Sequence, residues 1–332
     1  MHLVQIVRGD ERRVAVVREP ELVLVRDETS VLALAQRALR EGRALTELIR
    51  VLLSEERLPY DDVYAGQSAW KLLPPIDAPG DLRRVMVSGT GLTHLGSARD
   101  RQSMHVKDEA QMTDSMRMFE WGRQQGRPAE GAVGIAPEWF HKGDGSLVRG
   151  PSAALEIPGH AEDGGEEAEV AAIYLIADDG TPWRLGMAAG NEFSDHVFER
   201  RNYLNLAGSK LRTCSVGPEL VVDAEFRDVA GHVRILRGGE VLWEKDIRTG
   251  EENMCHSLAN LEHHHFKFAG HRQPGTVHIH FMGADCLSYG DGVRLEAGDM
   301  TEVEFENFGR ALRNVIAKDK PVTAPVRVRS ME

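Results

Sequence analysis

With 332 residues, 42 % of them hydrophobic and 28 % charged, the chain can bury one large core beside a small second domain. No stretch approaches the roughly 18 apolar residues of a membrane span, and MHLVQIVRGDERR has no secretory hydrophobic region, so a cytoplasmic protein is expected. A net charge of −12 argues against nonspecific binding to nucleic acid or anionic membranes.

The three cysteines, Cys214, Cys255 and Cys286, stand far apart and outside metal-type pairs. They read as reduced thiols used for packing. Thirty-three glycines suit many turns between short strands.

Residues 1–28 alternate apolar and polar positions, broken at Gly9-Asp10 and Glu19-Pro20, which predicts a small antiparallel sheet. A helix follows, capped by Ser30, with Val31, Leu34, Ala35, Ala38 and Leu39 on its apolar face and Gly42 as its stop. A second helix is predicted over Leu45–Leu53. Leu72–Gly80 is too rich in proline for helix or central strand and reads as a linker. Arg84–Ser88 is a short buried strand running into a glycine-rich loop, Gly89–Ser97. That loop has neither the phosphate-cradling nor the dinucleotide glycine pattern. Residues 100–126 carry Met112, Met116, Met118, Phe119 and Trp121 at helical spacing, as either a core stripe or a mobile cover.

From Pro137 onward the pattern turns to strands: Trp139–Leu147 as strand and turn, then Val170–Ile176, Trp183–Ala189, Gly217–Val222, and Val233–Arg237 with Val241–Lys245 as a hairpin over Gly238-Gly239. One helix, Asn253–Phe268, interrupts, and Val277–Phe281 and Thr301–Phe305 complete the strands. No βαβ alternation occurs, which excludes doubly wound and TIM-barrel folds.

The chemistry concentrates between Glu162 and His196. If Glu167 and Glu169 open a strand, both carboxylates point to one face. Gly190–Asp195 closes the next apolar run and brings further acids. Three converging carboxylates repel unless a cation sits among them, and oxygen ligands suit magnesium first, then manganese or calcium. The competing reading is a solvated acidic turn at Glu162–Glu166. His263, His264 and His265 point about 100° apart on a helix and cannot share one ion. His278 and His280 share a strand face and read as core or interface residues. Lys142 and Lys210 matter if buried beside the acids, where either could neutralise a carboxylate or enolate. His94 could exchange a proton near neutral pH.

Nine short motifs occur in a fixed order: Gly91–His94, Trp139–Lys142, Glu167–Ala171, Asn191–Ser194, Lys210, Gly217-Pro218, Pro274–Val277, Leu295–Asp299 and Gly309–Asn314. Over roughly residues 84–316 this series resembles the fumarylacetoacetate hydrolase superfamily. The resemblance implies an α+β, mostly β fold: a mixed β-roll over residues 82–318, a small N-terminal α/β cap over 1–75, and a tail over 319–332. It implies Glu167, Glu169 and Glu192 as magnesium ligands, and a homodimer. Glu192 stands where the family uses aspartate. The family's lid H-x-x-E pair is replaced by Ser97-Ala98-Arg99-Asp100, and its arginine after the third ligand by His196. Both departures weigh against simple C–C hydrolysis.

The segments Gly89–Ala98 and Asp114–Phe119 are similar to a bacterial sugar-acid branch of the superfamily. Members of that branch dehydrate 2-keto-3-deoxy-pentonates to 2,5-dioxopentanoate in non-phosphorylative pentose catabolism. The implied activity is a magnesium-dependent dehydratase acting on a small 2-keto acid. Its implied catalytic residues are His94, Lys142 and Lys210, and its substrate-binding residues Thr93, Ser97 and His196. The alternatives are hydrolysis of a 2,4-diketo sugar acid or acylpyruvate, and a non-catalytic protein that kept the fold.

Overall fold

The computed structural model describes residues 1–105, 112–322 and 324–331. The N-terminal alternation folds as β1 (His2–Arg8), β2 (Glu11–Arg18) and β3 (Glu21–Val25), an antiparallel set turned at the predicted places. Helix α1 (Val31–Glu41) starts on the Ser30 side chain, which accepts from Ala33 N–H. It ends at Gly42, whose φ of 60° is left-handed and favours glycine. Helix α2 (Leu45–Leu52) lies beside it, and both bury their apolar faces. An unanticipated strand, β4 (Leu53–Pro59), pairs with β3 and leads into a short α3 (Tyr60–Tyr64). The proline-rich stretch leaves β5 (Lys71–Leu72) paired on β1, then runs as irregular chain.

Strand β6 (Val85–Gly91) is longer than predicted and absorbs the first half of the glycine-rich loop; its turn is only Leu92-Thr93-His94. Helices α4 (Leu95–His105) and α5 (Asp114–Gln125) follow. Phe119 of α5 is buried with Leu92, Ala98 and Cys255, and Met116 and Met118 pack against them. Trp121 and Met112 are exposed, so only part of the stripe is core. Residues 106–111 of the stretch read as a stripe or cover lie outside the described residues.

Strands β7 (Glu138–Asp144), β8 (Val148–Arg149) and β9 (Ala154–Ile157) lead to the long pair β10 (Ala168–Ile176) and β11 (Pro182–Asn191). Two short helices escaped prediction: α6 (His196–Arg201), which Asp195 caps, and α7 (Leu206–Lys210). Neither is long enough to show a helical period. The remainder is β12 (Cys214–Val216), β13 (Leu220–Val221), the hairpin β14 (Val229–Arg237) and β15 (Glu240–Thr249), α8 (Leu258–Phe266), β16 (Val277–Phe281), β17 (Met300–Phe305) and β18 (Leu312–Lys318). Helix α8 is shorter than predicted because Ser257 caps it. Strands β9 and β18, unanticipated, pair with each other in parallel.

The fold is α+β and mostly strand, built on two mixed sheets. The larger has thirteen strands, its main path running β4-β3-β2-β1-β13-β11-β10-β16-β6-β7. The smaller has five, in the order β15-β14-β17-β18-β9. Strand β10 sits at the centre and is buried at all nine positions. Ala171, Ile173 and Leu175 face the core shared with α1 and α2, while Val170, Ala172 and Tyr174 face the core shared with the smaller sheet. A strand covered on both faces is a continuous apolar run, which is how Val170–Ile176 reads.

Helix α8, the turn of helix at Ala269–Arg272 and strand β16 bring together four imidazoles. His265 Nδ1 accepts from Trp139 Nε1, so its Nε2 donates to His278 Nδ1 at 2.9 Å. His280 is held by Ser88 and Thr90 through its two ring nitrogens. His271 stacks on Trp139 and on His265. Burial, then the neighbouring imidazoles, push His278 and His280 each down to about 3. Their folded values lie below the ordinary 6.5, so the unfolded chain takes up more protons between pH 6.5 and about 3. Stability should therefore fall as pH falls through that window, by about 1.4 kcal/mol per pH unit for each histidine. Urea midpoints at pH 7.5 and 5.5 measure the slope, and His280→Gln should make it shallower.

Candidate metal centre

The antiparallel register of β10 on β11 sets Ala168 against Asn191 and Glu169 against Gly190. One step further, Glu192 N–H donates to Glu167 C=O at 2.9 Å. The two ligand strands thus end side by side, and Asn191 Oδ1 also accepts from Glu167 N–H. The result brings Glu167, Glu169 and Glu192 together, all buried, with one carboxylate oxygen of each within 4.8 Å of the others.

Two buried lysines face this group. Lys142, on β7, places Nζ 2.6 Å from Glu192 Oε1 and donates to the Phe193 carbonyl at 2.6 Å. Phe193 has a φ of 57°, an unusual conformation for an aromatic residue, and this turns its carbonyl toward the lysine. Lys210, the last residue of α7, reaches Glu167 Oε1 and Glu192 Oε2, each at 2.6 Å, and lies 4.7 Å from the centre of the Phe140 ring. Ser194 Oγ donates to Glu192 Oε2, and Gly283 N–H donates to Glu169 Oε2.

These partners divide the charge unequally. Lys210, against the cost of burial, holds Glu167 well below the usual carboxylate range. Glu169 is pushed well above it by burial and then by its neighbours Glu167 and Glu192. The lysines divide as well: burial lowers Lys142, whereas Glu167 and Glu192 hold Lys210 above its ordinary value. Among the described residues, no lysine forms an ion pair with Glu169. A buried carboxyl crowded by two carboxylates is what a divalent cation relieves, so the donor set fits an oxygen-seeking ion.

His196 is buried at the start of α6, with Nε2 3.1 Å from Glu167 Oε1. Its ring fits because residue 165 is glycine: a Cβ there would fall 2.3 Å from His196 Nδ1. The acidic stretch before Glu167 is no solvated turn. Glu166 is buried and accepts from Ser288 N–H and Oγ–H, and Asp163 is buried as well.

The glycine-loop residues are inward but already engaged. Thr93 Oγ donates to the Met282 carbonyl, so it accepts from His94 Nδ1–H, and His94 Nε2 meets Thr249 Oγ1. Burial pushes His94 down to about 4, leaving a neutral imidazole with both nitrogens occupied. Ser97 Oγ donates to the His94 carbonyl.

Sequence reasoning missed a second shell of charge. Arg101 of α4 is buried and pairs with Glu199 of α6 at 2.8 Å, and it lies 3.7 Å from Glu138 and 3.8 Å from Glu167. Tyr203 donates to Glu138 Oε1. Burial raises Glu138 above the usual carboxylate range. Glu138 lies four residues before Lys142 at the start of a strand, a position that alone gave no signal.

Neither a family model nor a curated protein matches the chain. Solved structures do. A 2-keto-3-deoxy-D-arabinonate dehydratase complexed with magnesium and 2,5-dioxopentanoate superposes with a TM-score of 0.71 at 18 % identity, over 96 % of this chain and 100 % of that one. Fumarylacetoacetate hydrolase from Exiguobacterium antarcticum gives 0.61 at 17 %, over 96 % and 100 %. The 5-carboxymethyl-2-hydroxymuconate delta-isomerase from Mycobacterium smegmatis gives 0.59 at 16 %, over 96 % and 100 %. The chain has the fumarylacetoacetate hydrolase fold. Among the described residues, no helix is long and apolar enough to cross a membrane.

If the three acids hold a cation, Mg²⁺ should stabilise the folded protein. At a hundred times its dissociation constant the gain is about 2.7 kcal/mol. A thermal-shift titration reads this. Glu169→Gln should abolish the shift while keeping the metal-free midpoint at or slightly above the wild-type value, because it removes a crowded carboxyl.

Proposed function

We propose that the protein is a magnesium-dependent dehydratase of 2-keto-3-deoxy sugar acids, with a 2-keto-3-deoxy-pentonate as substrate and 2,5-dioxopentanoate as product. The observation that carries this reading is a group of three buried carboxyl groups, two of which, Glu167 and Glu192, meet two buried ammoniums at 2.6 Å. The complex of a like-folded dehydratase with magnesium and 2,5-dioxopentanoate supports the substrate class. Glu167, Glu169 and Glu192 would hold the cation. When bound, it would draw electron density from the 2-keto carboxylate and make the C3 protons more acidic.

The chain's own groups then have defined tasks. Lys142 and Lys210 supply fixed positive charge against the ionised keto acid, in a site closed to bulk water. Glu138 is the proposed base: it is buried, its carboxyl is raised, and its Oε2 has no partner. It takes a C3 proton as the C3–H bond breaks, and gives a proton to the C4 hydroxyl, which departs as water. In the resulting 5-hydroxy-2-oxopent-3-enoate, a proton shift from C5 to C3 gives the C4=C5 enol, and moving the enol O–H proton to C4 gives the 5-aldehyde. His94 and Thr93 position the turn after β6 rather than exchange protons, since both are bonded to the protein. His196 and Ser97 support the same wall, His196 by fixing Glu167. We further propose that the enzyme works as a homodimer in the cytoplasm.

Incubation with 2-keto-3-deoxy-pentonate and Mg²⁺ should yield an aldehyde that forms a hydrazone, with no pyruvate released. Pyruvate release would instead mean C–C cleavage. Glu169→Gln should lower kcat/KM about a thousandfold, the several kcal/mol that a Lewis acid supplies.

A further inference from the structure

Next to the carboxylate triad lies a group of buried polar atoms that no described residue satisfies. Glu138 is anchored through Oε1 by Tyr203, and its Oε2 has no partner. Glu199 is anchored through Oε1 by Arg101, and its Oε2 has no partner. Arg101 Nε and His196 Nδ1 are likewise unpartnered. All four residues are at least nine-tenths buried: Glu138 at 5 % exposure, Glu199 at 1 %, Arg101 at 3 % and His196 at 0 %. An orphaned buried polar atom costs roughly 1–3 kcal/mol, more when charged. Several in one place therefore mark where a ligand completes the bonding.

The position of this group is fixed by Arg101. Its guanidinium touches Glu199 and also lies within 3.8 Å of Glu167, one of the three acids. The wall thus lies one guanidinium's width from Glu167 of the triad. Its composition is lopsided. Three carboxyl groups, Glu138, Glu167 and Glu199, surround a single guanidinium.

We infer that Glu138, Glu199 and Arg101 form the subsite for the substrate's far end, which accepts a neutral hydroxyl-bearing tail and rejects a second carboxylate. This rests on the reading of the site as a metal-assisted 2-keto acid centre and adds its selectivity. The tail hydroxyl donates to Glu199 Oε2, leaving Glu138 Oε2 for the proton transfer, and accepts from Arg101 Nε. A carboxylate cannot donate, and it meets the two glutamates at close range. Glu199 sets the selectivity because it consumes the charge of Arg101. Without that charge pair, Arg101 is free to receive an anion, and its fork geometry suits a carboxylate.

The test compares two unreactive C5 keto acids that differ only at C5: 5-hydroxy-2-oxopentanoate and 2-oxoglutarate. Neither has a C4 hydroxyl to lose. Binding to the Mg²⁺-loaded protein is read by calorimetry, with pyruvate as the tail-free reference. Wild type should bind the hydroxy acid at least tenfold more tightly than the diacid. Glu199→Gln should narrow that ratio at least fivefold, mainly by tightening the diacid, while pyruvate affinity stays within about twofold. Equal wild-type affinities, or a preference for 2-oxoglutarate, overturn the subsite even if the variant does not fold. An unchanged ratio in a folded Glu199→Gln protein removes Glu199 from it. Failure of pyruvate itself to bind overturns the underlying 2-keto acid reading, a result distinct from loss of tail selectivity.

Discussion

The site rests on an electrostatic constraint: three carboxylates are taken out of water within 4.8 Å of one another. Transferring even one ionised carboxylate into a protein interior costs several kcal/mol unless it is paired. Like charges add to that cost. The molecule offsets it with two ammonium groups from distant parts of the chain, Lys142 on β7 and Lys210 at the end of α7. Neither contact has any local sequence logic: Lys210 lies 43 residues from Glu167 and meets it at 2.6 Å. The fold therefore has to bring the ends of β7, β10, β11 and α7 to one point.

The sheet makes this possible by being rigid. Strand β10 is covered on both faces, and its neighbours β11 and β16 pair with it along most of its length. A one-residue slip of β10 on β11 would turn every side chain to the opposite core and move Glu169 away from the acids. Packing of Ile173 and Leu175 on one side and Val170 and Ala172 on the other thus fixes the register that places the ligands. The geometry of the three acids and the core packing are set by the same pairings.

What was legible in the sequence follows from how far each signal reaches. The i, i+2 spacing of Glu167 and Glu169 and the apolar run after them are strand-local: Glu169 and the run lie in β10, and Glu167 stands one residue before it. The cap at Ser30 and the stop at Gly42 are helix-local, and both hold. Long strands such as β10 and β11 show as extended apolar runs; the six- and five-residue helices α6 and α7 are too short to show a period. The acidic turn at Glu162–Glu166 looked solvated because composition alone cannot show that Ser288, more than a hundred residues away, bonds Glu166. Arg101, Glu138 and Glu199 were unreadable for the same reason. Each is an ordinary charged residue in sequence, and only their convergence from α4, β7 and α6 makes them unusual.

Glu192 links the two halves of the electrostatics. Its Oε1 lies on Lys142, and its Oε2 is shared by Lys210 and Ser194. The longer glutamate chain, where the resembling family carries aspartate, lets one carboxylate span both lysines. With all three acids ionised, as a bound cation would require, the lysines set two positive charges against three negative, leaving one negative charge. A divalent cation would turn that into one positive, and a singly ionised keto acid, the substrate class proposed above, would bring the centre to neutrality. A doubly ionised acid would leave it one charge short, with its second carboxylate against Glu138 and Glu199. In a buried site such a deficit is not screened, so the charge count at the triad and the acidic wall around Arg101 favour the same ligand: an acid with one carboxylate and an uncharged tail.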